Sequence, residues 1–312
     1  MKVETIDYLL DVFSYSKLMA LSRCPAYAFL KYVKRLRQPS ERVLYPLIAG
    51  RAIHAGQETD AYSKLRGEAL SVGQVLESAV TEFEAEREKE GVKDPDAPKD
   101  KFVTEHLAQL EVFEKSGERA KICPMPGSIE APYRVHLEIP GQAKATLEGY
   151  TDLVSINEES DRETVEYKSG ARAITEKEAA NNVQLALEAL GAEARYTKIV
   201  NFVAGKRQHP TTKVTPPVEA TRERVELALQ WVNESISEFR AAVKSGSFPR
   251  CSPGSWWCSV KACEYFSVCF PKVEKLQPVV VTRIEPVGTL PPVEWRKSLA
   301  GKKQDERDRE KA

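Results

Sequence analysis

No apolar run in this chain approaches the roughly 18 residues that a membrane-spanning helix needs, and no internal repeat is visible. Neither sign of charge is in excess, since 46 Lys and Arg face 46 Asp and Glu. That balance argues against a basic, charge-driven nucleic-acid coat protein, while leaving room for local basic patches. The stretch from Met1 to Asp11 has no basic segment of the kind that opens a secretory signal, and acids interrupt its apolar residues. A cytoplasmic protein is the expectation. With 42% hydrophobic and 29% charged residues, the chain has none of the bias of a disordered or fibrous protein. Its 312 residues allow one large domain or two modest ones.

Cysteine is sparse but unevenly placed. Of Cys24, Cys123, Cys251, Cys258, Cys263 and Cys269, four fall between 251 and 269. In a reducing compartment these are not structural disulfides, and such clustering points to metal or redox chemistry. Cys123, standing alone, reads as a buried inert thiol.

Residues 14–35 read as helical in two pieces, the first capped by Ser14 or Ser16 and the second opened by Pro25. Further helices are expected around 50–61, over 72–90 and over 102–115, separated by a loop from Gly91 to Asp100. The pattern then turns to period two at 133–139, 145–156 and 163–169, with turns at Pro140-Gly141 and Asn157 to Asp161. Thr175 to Glu178 is a capping box for a helix running to Gly191. A strand follows at 197–203, and Thr215-Pro216 starts a long amphipathic helix that Gly246 ends. Residues 271–312 hold little core material, and 301–312 are almost all charged. This order implies an α/β core sheet with a helical insertion near 60–125.

Within the strands, Asp152 interrupts the apolar run of Gly149 to Val154, and Glu166 and Lys168 are two apart in Glu166-Tyr167-Lys168. On a strand, that spacing sends both side chains to one face. Desolvating three such charges together is costly, and two carboxylates can hold a hard divalent cation such as Mg²⁺ or Mn²⁺. A lysine beside that ion can orient water or stabilise a phosphoryl group. The plainer reading is a surface Glu–Lys pair near a solvated Asp. His54, one turn after Gly50, carries a nitrogen suited to Mn²⁺, and Gln184 lies on the helix that follows the Glu-x-Lys strand.

Taken in order, these landmarks resemble the RecB-like branch of the PD-(D/E)XK nuclease superfamily. The likeness is strongest to its iron–sulfur members: the AddB nuclease domain, the CRISPR-associated 5′→3′ exonucleases and phage-encoded exonucleases. Ser16-Lys17-Leu18 through Cys24-Pro25-Ala26-Tyr27 is similar to the family's opening signature, Gly50 to His54 to its glycine–histidine motif, and Gly149 to Asp152 to its acid strand. Glu166 to Lys168, Gln184, and Cys258, Cys263 and Cys269 are similar to the remaining motifs. The sequence departs from the pattern in three places. Thr151 stands where the name-giving proline would be, Glu188 replaces the tyrosine four residues after the glutamine, and the trailing cysteines are spaced Cys-x4-Cys-x5-Cys.

The resemblance implies a restriction-endonuclease-like core, a mixed central sheet flanked by helices, as a single domain over 1–270 with an extension over 271–312. It implies a deoxyribonuclease, an exonuclease of 5′→3′ polarity acting on single-stranded DNA or DNA ends in recombination, repair, or phage or CRISPR DNA processing. The catalytic residues would be His54, Asp152, Glu166, Lys168 and Gln184. His54, Asp152, Glu166 and the Tyr167 carbonyl would hold Mg²⁺ or Mn²⁺. Cys24 would join Cys258, Cys263 and Cys269 around a 4Fe-4S cluster, clasping the N- and C-terminal segments, with Cys251 spare. Zinc is the alternative occupant. DNA is the implied partner, with a helicase, integrase or recombination protein as an accessory. Two other readings stay open: a catalytically inactive nuclease-fold scaffold or DNA-binding protein, and a zinc-stapled protein acting on another substrate. Lys31, Lys34, Arg35, Lys206 and Arg207 are candidates for a backbone groove.

Overall fold

The period-two segments form the sheet, which is wider than the sequence suggests. The computed structural model describes residues 10–36, 45–93, 97–139, 141–205, 209–252, 255, 257, 258, 263 and 265, and the backbone of 280–281. A short strand, β1 (Val12–Phe13), leads into α1 (Tyr15–Arg23), where Ser14 Oγ accepts from the Lys17 N–H at 3.2 Å as the N-cap. Pro25 opens α2 (Pro25–Ala28), which continues as a π turn over Phe29–Val33. Then come α3 (Tyr45–Leu65), α4 (Val72–Lys89), α5 (Lys99–Lys115) and α6 (Glu118–Lys121). None of the described helices is long and apolar enough to cross a membrane.

Three antiparallel strands follow: β2 (Pro124–Ile139), β3 (Ala145–Ile156) and β4 (Arg162–Gly170). β2 starts nine residues before the expected Tyr133, because Pro124, Pro126 and Gly127 hide its period; the register shifts between Pro124 and Ile129. After β4 the chain makes α7 (Glu176–Ala180) and α8 (Val183–Gly191), then β5 (Tyr196–Val203) parallel to β4. β6 (Thr211–Val214) and β7 (Val218–Glu219) pair antiparallel to β5, and α9 (Arg222–Ser245) closes the run. β8 (Val280–Val281) adds to the free edge of β2, so the expected C-terminal extension contributes a strand. The sheet order is β6-β5-β4-β3-β2-β8, with β1 parallel to part of β3.

Two helix expectations are corrected. The helix expected from Thr175 to Gly191 is two helices, because Asn182 Oδ1 accepts from the Gln184 and Leu185 N–H groups and so caps a new start. The long helix does not start at Thr215. Thr215 is held extended on β5, its N–H donating to the Ile199 carbonyl and its Oγ1 accepting from the Ile199 N–H, both at 2.9 Å. Pro217 keeps its neighbour extended as well, and Thr221 is the cap that starts α9.

One face of the sheet packs α1, α2, α8 and α9 through Leu18, Val135, Leu147, Leu187, Val232 and Phe239. The other packs α3, α4 and α5 through Ile48, Phe83, Phe102, Leu110, Val165 and Phe202. This is a mixed α/β sheet flanked by helices on both sides. Cys123 is exposed rather than buried, since it lies at the very start of β2 where only its N–H is engaged, donating to Ser155 Oγ.

Candidate active site

The β3–β4 ladder runs from Ile156–Arg162 up to Leu153–Val165 and goes no further. Beyond it the strands part, and the Asp152 side chain takes over the next backbone donor: its Oδ2 accepts from the Tyr167 N–H at 2.8 Å. The splayed end holds Asp152, Glu166 and Lys168 together, as the two-residue spacing predicts.

His54 reaches this opening from α3. Gly50, one turn earlier, lets the helix sit close to the end of β4, where a Cβ would be 3.1 Å from Ser169 Oγ. His54 Nδ1 lies 3.5 Å from Asp152 Oδ1, and the ring makes a hydrogen bond with the Tyr167 backbone. Burial lowers the His54 pKa against the pull of Glu166, so the imidazole is neutral and able to act as a ligand. Tyr167 itself points its ring into the α3–α5 core and turns only its backbone to the site.

Gln184, in the first turn of α8, closes the other side. Its Nε2 donates to Glu166 Oε1 at 2.9 Å and to Glu188 Oε1 at 2.7 Å, and its Oε1 accepts from Lys168 Nζ at 3.3 Å. Lys168 Nζ also donates to Glu166 Oε1 in a short ion pair. Glu166 is 2% exposed, and its Oε2 has no hydrogen-bond partner among the described residues.

Sequence reasoning missed two carboxylates. Glu130, on β2, carries one oxygen that shares a space with ligand atoms of His54 and Asp152, all within 4.8 Å of one another. It reaches there with a left-handed backbone (φ 46°) beside the irregular part of β2, and nothing in Ser128-Ile129-Glu130-Ala131 announces that conformation. Burial, then Glu58 and Glu166, push its carboxyl up to about 7. Glu188 is 1% exposed with Oε2 unpartnered. Its signal was present, a lone carboxylate within Leu185-Ala186-Leu187-Glu188-Ala189-Leu190.

The tightest group of ligand atoms is therefore His54, Glu130 and Asp152, while Glu166 lies beside it, tied to Lys168 and Gln184. Burial and the Glu166 charge raise Asp152 well above the usual carboxylate range, and burial with Glu166 and Asp152 does the same to Glu188. Burial pulls the Lys168 ammonium down, but Glu166 beside it more than compensates and the pKa is raised. Four acids against one ammonium leave a surplus of negative charge that a cation would relieve. The orphaned Glu166 oxygen and the hard O and N donors fit a small divalent ion such as Mg²⁺ or Mn²⁺.

A second cluster joins the chain's distant parts. Cys24, buried between α1 and α2, accepts a hydrogen bond at 3.5 Å from the Cys251 N–H. Burial, then Cys24 and Cys258, push the Cys251 thiol up to about 12, and its thiol hydrogen-bonds with both. Cys251, spare in the sequence reading, thus links Cys24 to Cys258. Cys263 lines the same cavity as Cys24. Cys269, Trp256, Lys206 and Arg207 lie outside the described residues, and Lys31, Lys34 and Arg35 are exposed.

The family model described as "PD-(D/E)XK nuclease superfamily" matches residues 12–270. No curated protein matches the chain. Among solved structures, "Crystal structure of SSO0001" is similar at 10% identity and a TM-score of 0.32, covering 86% of this chain and 96% of that one. At that score the likeness carries no argument.

Proposed function

The chain belongs to the PD-(D/E)XK nuclease superfamily, and from that membership we propose that it is a Mg²⁺- or Mn²⁺-dependent deoxyribonuclease, an exonuclease acting on single-stranded DNA or DNA ends. One observation carries the reading: Asp152, Glu166, Lys168, Gln184 and His54 come from four separate elements and meet where β3 and β4 part. An inactive scaffold would have no use for so costly a buried arrangement.

In this reading Asp152, Glu130 and His54 hold the ion, with Glu166 and the Tyr167 carbonyl turned toward the same space. The ion, when bound, lowers the pKa of a water and neutralises charge on the phosphoryl group. Lys168 stays charged through Glu166, and its ammonium positions water or a phosphate oxygen. Gln184 restrains both Lys168 and Glu166, so its role is positioning. The cysteines fit a soft-metal group, and we assign Cys24, Cys258, Cys263 and Cys269 to a 4Fe-4S cluster that ties the two ends of the fold; zinc is the alternative.

The test is anaerobic purification, iron and zinc analysis, and a cleavage assay on end-labelled single- and double-stranded DNA with Mg²⁺ or Mn²⁺. Metal-dependent release of nucleotides from one end, lost in Lys168→Ala, is the expected result. No cleavage of any DNA by the cofactor-replete protein would leave the scaffold reading in its place.

A further inference from the structure

A cavity of about 250 Å³ opens between α1, α2 and the Cys-bearing segment. It is smaller than the roughly 300–1,000 Å³ of a drug-sized pocket, so it has room for one planar ring system and not for a base pair. Its walls include Tyr15, Tyr27, Tyr32 and Trp257, with Arg23 and Lys31 among them, and no carboxylate appears among its described lining residues. The Arg23 guanidinium lies 4.4 Å from the centre of the Trp257 ring, and Lys31 Nζ donates to the Tyr27 hydroxyl at 2.9 Å. Arg23 and Lys31 are themselves exposed.

Tyr15 connects this cavity to the carboxylate site. Its hydroxyl feels Arg23 from the cavity side and Lys168, Glu188 and Glu166 from the other. One end of the path is thus aromatic and cationic, and the other is acidic and built for a metal ion. A chain of alternating phosphates and flat apolar rings matches that sequence of surfaces. Aromatic faces take bases of any sequence, and cations take the phosphates between them.

We propose that this cavity is a subsite for a single unpaired nucleobase of the DNA strand being cut, with Trp257 and Tyr27 as its stacking surfaces and Arg23 and Lys31 on the flanking phosphates. The inference rests on the nuclease reading of the neighbouring site. It makes the cavity a selector for single-stranded or frayed DNA, because a paired base cannot enter.

The full-length, cofactor-replete protein is titrated with a 5′-labelled oligothymidylate in EDTA, followed by fluorescence anisotropy, and a blunt duplex of the same length serves as comparison. Trp257→Ala is expected to weaken oligothymidylate binding about tenfold or more, with Trp257→Phe close to the parent. Arg23→Ala with Lys31→Ala, both on exposed side chains, is expected to lower the salt slope of log K by about 1.4. In cleavage these variants should raise KM and leave kcat near the parent value. Lys168→Ala should bind as the parent and not cleave.

Oligothymidylate affinities that are unchanged in all cavity variants overturn the proposal. So does an equal loss on duplex, or a change confined to iron or zinc content, which would make the aromatic wall a shield for the cysteines. Failure of the parent to bind oligothymidylate also overturns it. A parent that cleaves DNA with neutral cavity variants sinks the subsite alone, and a parent that binds through the cavity but cleaves nothing sinks the nuclease reading alone.

Discussion

Replacing Glu188 by Gln isolates the cost of the buried acid that the sequence pattern does not call for. Its carboxyl is 1% exposed, accepts from Gln184 Nε2 at 2.7 Å, and leaves Oε2 without a partner among the described residues. Burial, then Glu166 and Asp152, raise its pKa well above the 4.5 of a free Glu. The sign follows directly. The unfolded chain gives up this proton at a lower pH than the folded one, so the parent loses stability as pH rises from the unfolded value toward the folded one. The slope from this group is at most about 1.4 kcal/mol per pH unit. A Gln amide has the same shape, can still accept from Gln184, and does not titrate. Urea melts in EDTA between pH 5 and 8.5 should therefore show Glu188→Gln gaining on the parent as pH rises, while Asp152, also raised, leaves a shared slope in both. Cleavage at neutral pH should stay within a few-fold of the parent. Stability curves that run parallel across that range would refute the assignment of a buried, strained acid at 188.

Asp152→Ala should lower metal affinity by calorimetry and slow cleavage by roughly a thousandfold, or about 4 kcal/mol, whereas Lys168→Ala should keep the metal and lose turnover. Gly191→Ala places a Cβ inside 3.0 Å of the Tyr133 ring and should cost about 1–3 kcal/mol in urea melts; in a Tyr133→Leu background the penalty should shrink. His106, fully buried against Phe102 and Phe202, has its pKa lowered to about 4, chiefly by burial. The unfolded ring takes its proton first, so stability is complete above pH 6.5 and falls by about 3 kcal/mol toward pH 4; His106→Leu should flatten that part of the acid limb.

Much of the site was legible because its motifs obey local rules. Glu166 and Lys168 share a face by strand period, His54 follows its packing glycine by one helical turn, and Gln184 sits in the first turn of its helix. Gly149 has a plain reason too, since a Cβ there would enter the Tyr133 ring, which the neighbouring strand lays over it. What stayed hidden depends on contacts far apart in sequence or on unusual backbone. Glu130 enters through a left-handed residue in an irregular strand. The start of α9 was misplaced because Thr215 is claimed by β5, a partner sixteen residues earlier that local pattern cannot reveal. Cys251 looked spare because its neighbour Cys24 is 227 residues away.

That last separation governs the order in which the protein can be made. Arg240 donates to the carbonyls of Leu10, Ala143 and Lys144 and pairs with Asp11. The Ala26 N–H reaches the Pro249 carbonyl, and the Tyr265 hydroxyl donates to that of Leu36. The helices that leave the ribosome first are thus docked by residues translated last, and long-range closures of this kind form slowly. Throughout synthesis the Cys24 thiol has no companion. A nascent chain stalled before residue 250 should expose it to alkylating reagents, and any metal the thiols share must be delivered after translation has passed the cysteine-rich segment.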